Sequence, residues 1–268
     1  MSSTWISGHG AISGNWVSGG SAEPFSPDLI SGLTRWFDFS DLTTITKDGS
    51  DLVSQVVDKS SNAVNATQST AGKKPTYVAA SQNGKSILRF SGAQNGPVLD
   101  LGTGTLITTA TGFSIFIAFK VNTFLTEVQP YLANFKTDAS TTYGIMTEQN
   151  TGRLHSGGSG LAQLKSDASA FTFTDFGIAT IQGVGSDVTS VANYNLLNNA
   201  NSLNVNSGGL AGGWVHANSY FGMSRYSDGT WYASATYDAG ELLIYNGTMS
   251  TASRTSIISY LKTKWGIA

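Results

Sequence analysis

Cysteine is absent from the 268 residues, which excludes a disulfide scaffold, a thiolate zinc site and a cysteine nucleophile. A chain of this length buries roughly three quarters of its unfolded surface and needs no such staples. Charge is also scarce. Lys, Arg, Asp and Glu together make up 12% of the chain, about half the usual share. The net charge is −2 and no basic stripe is present, so nucleic acid is not an expected partner. No apolar run approaches the roughly 20 residues of a membrane helix, so no membrane insertion is expected. The longest run, Phe113 to Phe119, is interrupted by Ser114 and is strand-sized. The N-terminus, Met1-Ser2-Ser3-Thr4-Trp5-Ile6, has neither the positive region nor the apolar region of a secretory signal. His9, His155 and His216 are far apart and form no His-x-x-x-His pair, so zinc has no two-ligand anchor. No Gly-x-Ser-x-Gly nucleophile elbow occurs.

What fills the space is Gly (31 residues), with Ser, Thr and Asn. The expected surface is one of hydroxyls, amides and backbone, a composition commoner outside the cytosol. Residues 1–26 stand apart. Trp5-Ile6-Ser7-Gly8 recurs as Trp16-Val17-Ser18-Gly19, and Pro24 and Pro27 close the segment. One partial repeat is too little for a solenoid. The segment reads as an extended docking arm anchored by Trp5, Ile6, Ile12, Trp16 and Val17. Those five side chains bury too little area to offset the ordering of 26 residues, so the arm needs a sheet edge or a partner groove.

From residue 27 to 268 the pattern is β. Ser114 to Val121 reads as a buried strand, Tyr143 to Thr147 and Phe176 to Ile181 as further strands, and Glu241 to Tyr245 as a strong late one. Turn signals recur at Asp48-Gly49, Asn83-Gly84, Asn95-Gly96, Asp228-Gly229 and Asn246-Gly247. Many short strands at such spacing argue for a sandwich or jelly roll and against βαβ units. The Asn-rich stretch Asn193 to Asn206 reads as a strand end and an exposed loop. Asn83-Gly84-Lys85-Ser86 mimics the end of a P-loop, but Ala79 stands where the first glycine belongs, so it reads as a hairpin turn. One helix ends the chain. Ser250 is its N-cap, and Arg254, Ile257, Ile258, Leu261 and Trp265 share a face before Gly266 stops it. A single such helix is expected across a sheet edge or the sandwich rim.

Leu33-Thr34-Arg35-Trp36-Phe37-Asp38-Phe39-Ser40-Asp41, Asp58-Lys59-Ser60-Ser61-Asn62, Lys74-Pro75-Thr76, Leu88-Arg89-Phe90-Ser91-Gly92, Glu241 to Asn246 and Tyr260 to Ile267 follow in that order. In this series the chain resembles the laminin-G-like, concanavalin-A-like jelly-roll domains of bacterial surface proteins and phage structural proteins, over roughly residues 28–268. The resemblance implies an all-β fold of two curved antiparallel sheets of roughly a dozen strands. It implies glycan or protein binding more than catalysis. Some proteins of that superfamily bind calcium, and Asp58 to Asn62 is the place to weigh it. Calcium takes six to eight oxygens and this motif offers one carboxylate, so an Asx/Ser turn is the favoured reading.

Glu241 has no second carboxylate in its strand, whereas a sandwich-fold glycosidase sets two facing each other. It reads as a strand-start residue bonded to a neighbouring loop, and no catalytic residue is assigned. From Trp214 to Tyr232 aromatics concentrate. Trp214, His216, Tyr226, Trp231 and Tyr232 are the candidates for glycan contact, since Tyr and Trp offer both a ring face and a polar tip. The alternative for this set is sandwich core.

The expectation is a non-enzymatic virion protein of a bacteriophage, a capsid decoration or tail-associated protein with a lectin-like domain on the virion surface. An exterior-type surface without an export signal fits a particle released by lysis. Its expected partners are capsid or tail proteins, copies of itself and cell-surface glycans. A free lectin and a glycoside hydrolase are the alternatives.

Overall fold

The computed structural model describes residues 24–92, 96–102, 112–124, 131–136, 142–148, 153–157, 164–165, 174–183, 194–199, 201–203, 218–222, 224–225, 231–232 and 235–268. At residue 124, within 131–165, and at 194–197, 201–203, 218, 224–225 and 231–232 the description covers the backbone only. The arm anchors Trp5, Ile6, Ile12, Trp16 and Val17 lie outside the described residues.

In chain order the strands are β1 (Leu33–Asp38), β2 (Ile45–Lys47), β3 (Val53–Val56), β4 (Ala66–Thr67), β5 (Thr76–Gln82), β6 (Lys85–Phe90) and β7 (Leu99–Asp100). β8 (Phe113–Phe124), β9 (Tyr131–Lys136), β10 (Thr142–Glu148), β11 (Arg153–Gly157), β12 (Leu164–Lys165) and β13 (Gly177–Gly183) follow. Then come β14 (Tyr194–Asn198), β15 (Asn201–Leu203), β16 (Asn218–Phe221), β17 (Ser224–Arg225), β18 (Trp231–Tyr232), β19 (Ala235–Asn246) and the helix α1 (Thr251–Trp265).

They form two antiparallel sheets, as a jelly-roll sandwich requires. One runs β15-β14-β13-β8-β19-β6-β5, with β1 on the second half of β19; the other runs β12-β11-β10-β9-β16-β7-β4-β3-β2. A small hairpin, β17-β18, stands beside them. The expected Asn83-Gly84 turn joins β5 to β6, both residues at positive φ, 48° and 69°.

Period-2 alternation places the core. Phe113, Ile115, Ile117, Phe119 and Val121 of β8 face the second sheet, where Val53, Val56, Leu99 and Phe221 meet them. Phe116 and Ala118 of the same strand point to the other side. That side is not solvent. Ile257, Ile258, Leu261 and Trp265 of α1 pack on it, with Trp36, Ile87, Ile178, Leu243 and Tyr245 beneath. The helix therefore covers the outer face of the central strands and not an edge or the rim. The reason is the sequence of the strands themselves. β8 and β19 are apolar on both faces, so the first sheet must be covered twice.

Two polar devices set the helix. The Ser250 side chain caps its start by accepting from the Ser253 N–H at 3.1 Å, and Gly266 ends it at φ 63°. Arg254 donates to the Gln182 side chain at 2.6 Å, and Gln182 donates back to the Met249 carbonyl at 2.8 Å, tying the first turn to β13.

β19 is longer than the sequence pattern suggests. It begins at Ala235, because a bulge between Ala239 and Glu241 interrupts the alternation. The extra residue is Gly240. A Cβ there would lie 2.6 Å from the Trp265 ring, so only glycine lets the indole lie on the strand.

Candidate functional site

The bulge turns Glu241 toward the helix. Glu241 is thus a mid-strand residue, not the strand start expected from its sequence, and its partners are on β1 and α1, not on a loop. It is fully buried. Its carboxylate accepts from Trp36 Nε1 at 2.7 Å, Tyr260 Oη at 3.0 Å, Lys264 Nζ at 2.8 Å and Trp265 Nε1 at 3.2 Å. Directly across the β1–β19 register stands Asp38. Lys264 sits between the two carboxylates, 2.7 Å from Asp38. Lys59 approaches Asp38 at 3.5 Å and Asp41 at 2.9 Å, and its ammonium lies over the Trp36 ring.

Burial raises the pKa of Glu241, and the Asp38 charge adds to that; Lys264 and the bond from Trp36 pull the other way without cancelling it. Burial also acts to raise Asp38, but Lys264, the Ser40 hydroxyl and Lys59 outweigh it and leave Asp38 below the usual range. The facing carboxylate that the expected strand 241–245 does not offer is supplied across the sheet by Asp38, a pairing that only register reveals; Asp238, in the same strand as Glu241, is taken by Arg89. The pair is sealed under α1 and bridged by an ammonium.

Asp58 is buried as well. Its side chain accepts from the N–H groups of Trp36 (2.9 Å), Ser60 (2.9 Å) and Val64 (3.1 Å) and from the Ser60 hydroxyl (2.8 Å). The Asx/Ser turn is there, and it also pins the loop after β3 to β1. Ser60 and Asn62 complete the join by donating to the Thr34 carbonyl. Asp238 is held by Arg89 through two bonds, 2.7 and 2.9 Å. Among the described residues no group of three or more His, Cys, Asp or Glu side chains is placed to hold a metal ion.

Of the aromatic glycan candidates, Trp214, His216 and Tyr226 lie outside the described residues. Trp231 and Tyr232 form β18, paired with Arg225 and Ser224 of β17, with only their backbone described.

Known structures share this sandwich. The Trypanosoma rangeli sialidase in complex with sialic acid matches with a TM-score of 0.57 at 11% identity, over 88% of this chain and 33% of that one. Domain 4 of AbnA, a GH43 extracellular arabinanase from Geobacillus stearothermophilus, in complex with arabinotriose, matches with a TM-score of 0.54 at 15% identity, over 86% of this chain and 98% of the domain. The receptor binding domain of botulinum neurotoxin D matches with a TM-score of 0.54 at 9% identity, over 85% of this chain and 52% of that one. This chain thus spans about a third of the sialidase. At such identities the likeness is one of fold. No family model matches the sequence, and no curated protein matches it with significance.

Proposed function

We propose that this chain is a non-catalytic, carbohydrate-binding display module. The observation that carries the reading is its likeness, over nearly the whole of both chains, to an arabinanase domain seen in complex with arabinotriose. The receptor binding domain of botulinum neurotoxin D, similar over 85% of this chain and 52% of that one, supports binding in preference to turnover. The fate of the buried carboxylates points the same way. Asp38 and Glu241 are the one facing pair across β1 and β19, and their oxygens are spent on Lys264, Lys59, Tyr260 and two indoles. A glycosidase needs both carboxyl groups open to the scissile bond. The test is a glycan array together with a polysaccharide-hydrolysis screen on the full chain. Binding without turnover is the expected result. Hydrolysis that is lost in Glu241→Gln, with folding intact, would replace the binder by an enzyme.

The finer reading places this module on a bacteriophage particle, on the head or tail exterior, as a homo-oligomer docked through residues 1–26. Its support is the surface poor in charge and the two-tryptophan arm. Deleting residues 1–26 is expected to leave the melting temperature close to that of the full chain while abolishing the oligomer in light scattering. A truncated domain that unfolds would make the arm an edge strand of its own sandwich instead.

A further inference from the structure

A cleft of about 500 Å³ opens where the approach to β13, the β14–β15 turn and the end of α1 meet. Its volume falls within the small-molecule range. The residues that matter are Asp175, Phe176, Asn198, Asn199 and Gln82, with Ile267 behind them. Several are held in place before any ligand arrives. Asn199 has φ 58°, donates its N–H to the Ile178 carbonyl at 2.9 Å and accepts from the Ile178 N–H through its side-chain oxygen at 2.8 Å. Gln82 donates to the Trp265 carbonyl at 2.7 Å. The Phe176 ring is stacked on Trp265 at 5.4 Å. Asp175 is exposed, and no ion pair engages it among the described residues.

The chemistry of this lining is selective. Its side chains comprise one carboxylate, three carboxamides and one aromatic ring, with neither Lys nor Arg. A phosphate would meet Asp175 with no compensating cation. One carboxylate is too few for a calcium site. Planar amides and a carboxylate beside a ring suit a molecule whose hydroxyls both donate and accept and whose CH face can rest on an aromatic edge.

We propose that this rim cleft is a sugar-binding site, and that it takes a neutral sugar with adjacent free hydroxyls in preference to a sialylated or uronic one. The proposal rests on the glycan-binding reading above and adds where the sugar sits and which class it belongs to. The sequence signal was present in the Asn-rich stretch, which reads as an exposed loop until Asn199 is seen tied to β13.

The test is titration of the full chain with the neutral glycans that score on the array and with their sialylated counterparts. The variants are Asp175→Lys, Asn198→Ala and Trp231→Ala, each checked for an unchanged melting temperature. Neutral glycans are expected to bind at least tenfold more tightly than sialylated ones. Asp175→Lys and Asn198→Ala are each expected to weaken neutral-glycan binding tenfold or more, and Trp231→Ala to leave it unchanged. Loss on Trp231→Ala with both cleft variants binding normally would overturn the site and leave the glycan-binding reading standing. Tighter binding of sialylated glycans would overturn the ligand class. An array with no signal for the unmodified chain would overturn that reading and this site together.

Discussion

Trp265→Ala is expected to lower the free energy of unfolding by about 4 kcal/mol, within the 3–5 kcal/mol range of large aromatic deletions in a core. The indole is fully buried, lies against the Gly240 bulge and stacks on Phe176. Its removal leaves a cavity between α1 and the first sheet, and it takes one donor from Glu241. The outer cluster of Phe116, Ile178, Leu243 and Tyr245 depends on this helix for its cover. Chemical denaturation followed by tryptophan fluorescence and far-UV circular dichroism measures the change. A loss below about 1 kcal/mol, well under the range for a buried ring, would mean that the helix only decorates the sandwich.

The second large effect comes from the ammonium between the two carboxylates. Lys264→Met removes the bridge that lies 2.7 Å from Asp38 and 2.8 Å from Glu241. Taking one partner from a buried ion pair costs about 3–5 kcal/mol. The lower end is expected here, because Lys59 still reaches Asp38. The same cluster sets a pH dependence. The pKa of Glu241 is raised in the folded chain, so between its unfolded and folded values the folded state binds more protons. Stability then falls as pH rises through that window and is greater on its acid side. Asp38 is lowered and has the opposite sign: its contribution is present above its unfolded value, about 4, and is lost as pH falls through the folded one. The denaturation midpoint of the unmodified chain is therefore expected to rise as pH is lowered through the Glu241 window toward the ordinary glutamate range, and to fall in stronger acid. Glu241→Gln should flatten the first slope, and Lys264→Met should steepen it by removing the attraction that holds Glu241 down. Equal slopes in all three proteins would sink the assignment.

The sequence on its own determined what local chemistry can determine. The apolar run of β8, the Asn83-Gly84 turn and the Ser250-to-Gly266 helix are written in nearest-neighbour terms, and each forms where propensity and period place it. The sandwich follows from many short strands separated by recurring turn signals. Tertiary structure alone decided the rest. Whether α1 lay on an edge or on a face depended on which strands had apolar residues on both sides at once, a property of the assembled sheet. Glu241 lacked a partner when its own strand was read, because Asp38 is some 200 positions away and is brought opposite by β1–β19 register. Its orientation needed a bulge at Gly240, a position kept to glycine by a tryptophan 25 residues later. Asn199 became part of a cleft only when β13 supplied both of its backbone partners. Alternation and capping act over a few residues and so can be read along the chain; register, sheet coverage and cleft walls are made by residues that meet only after folding.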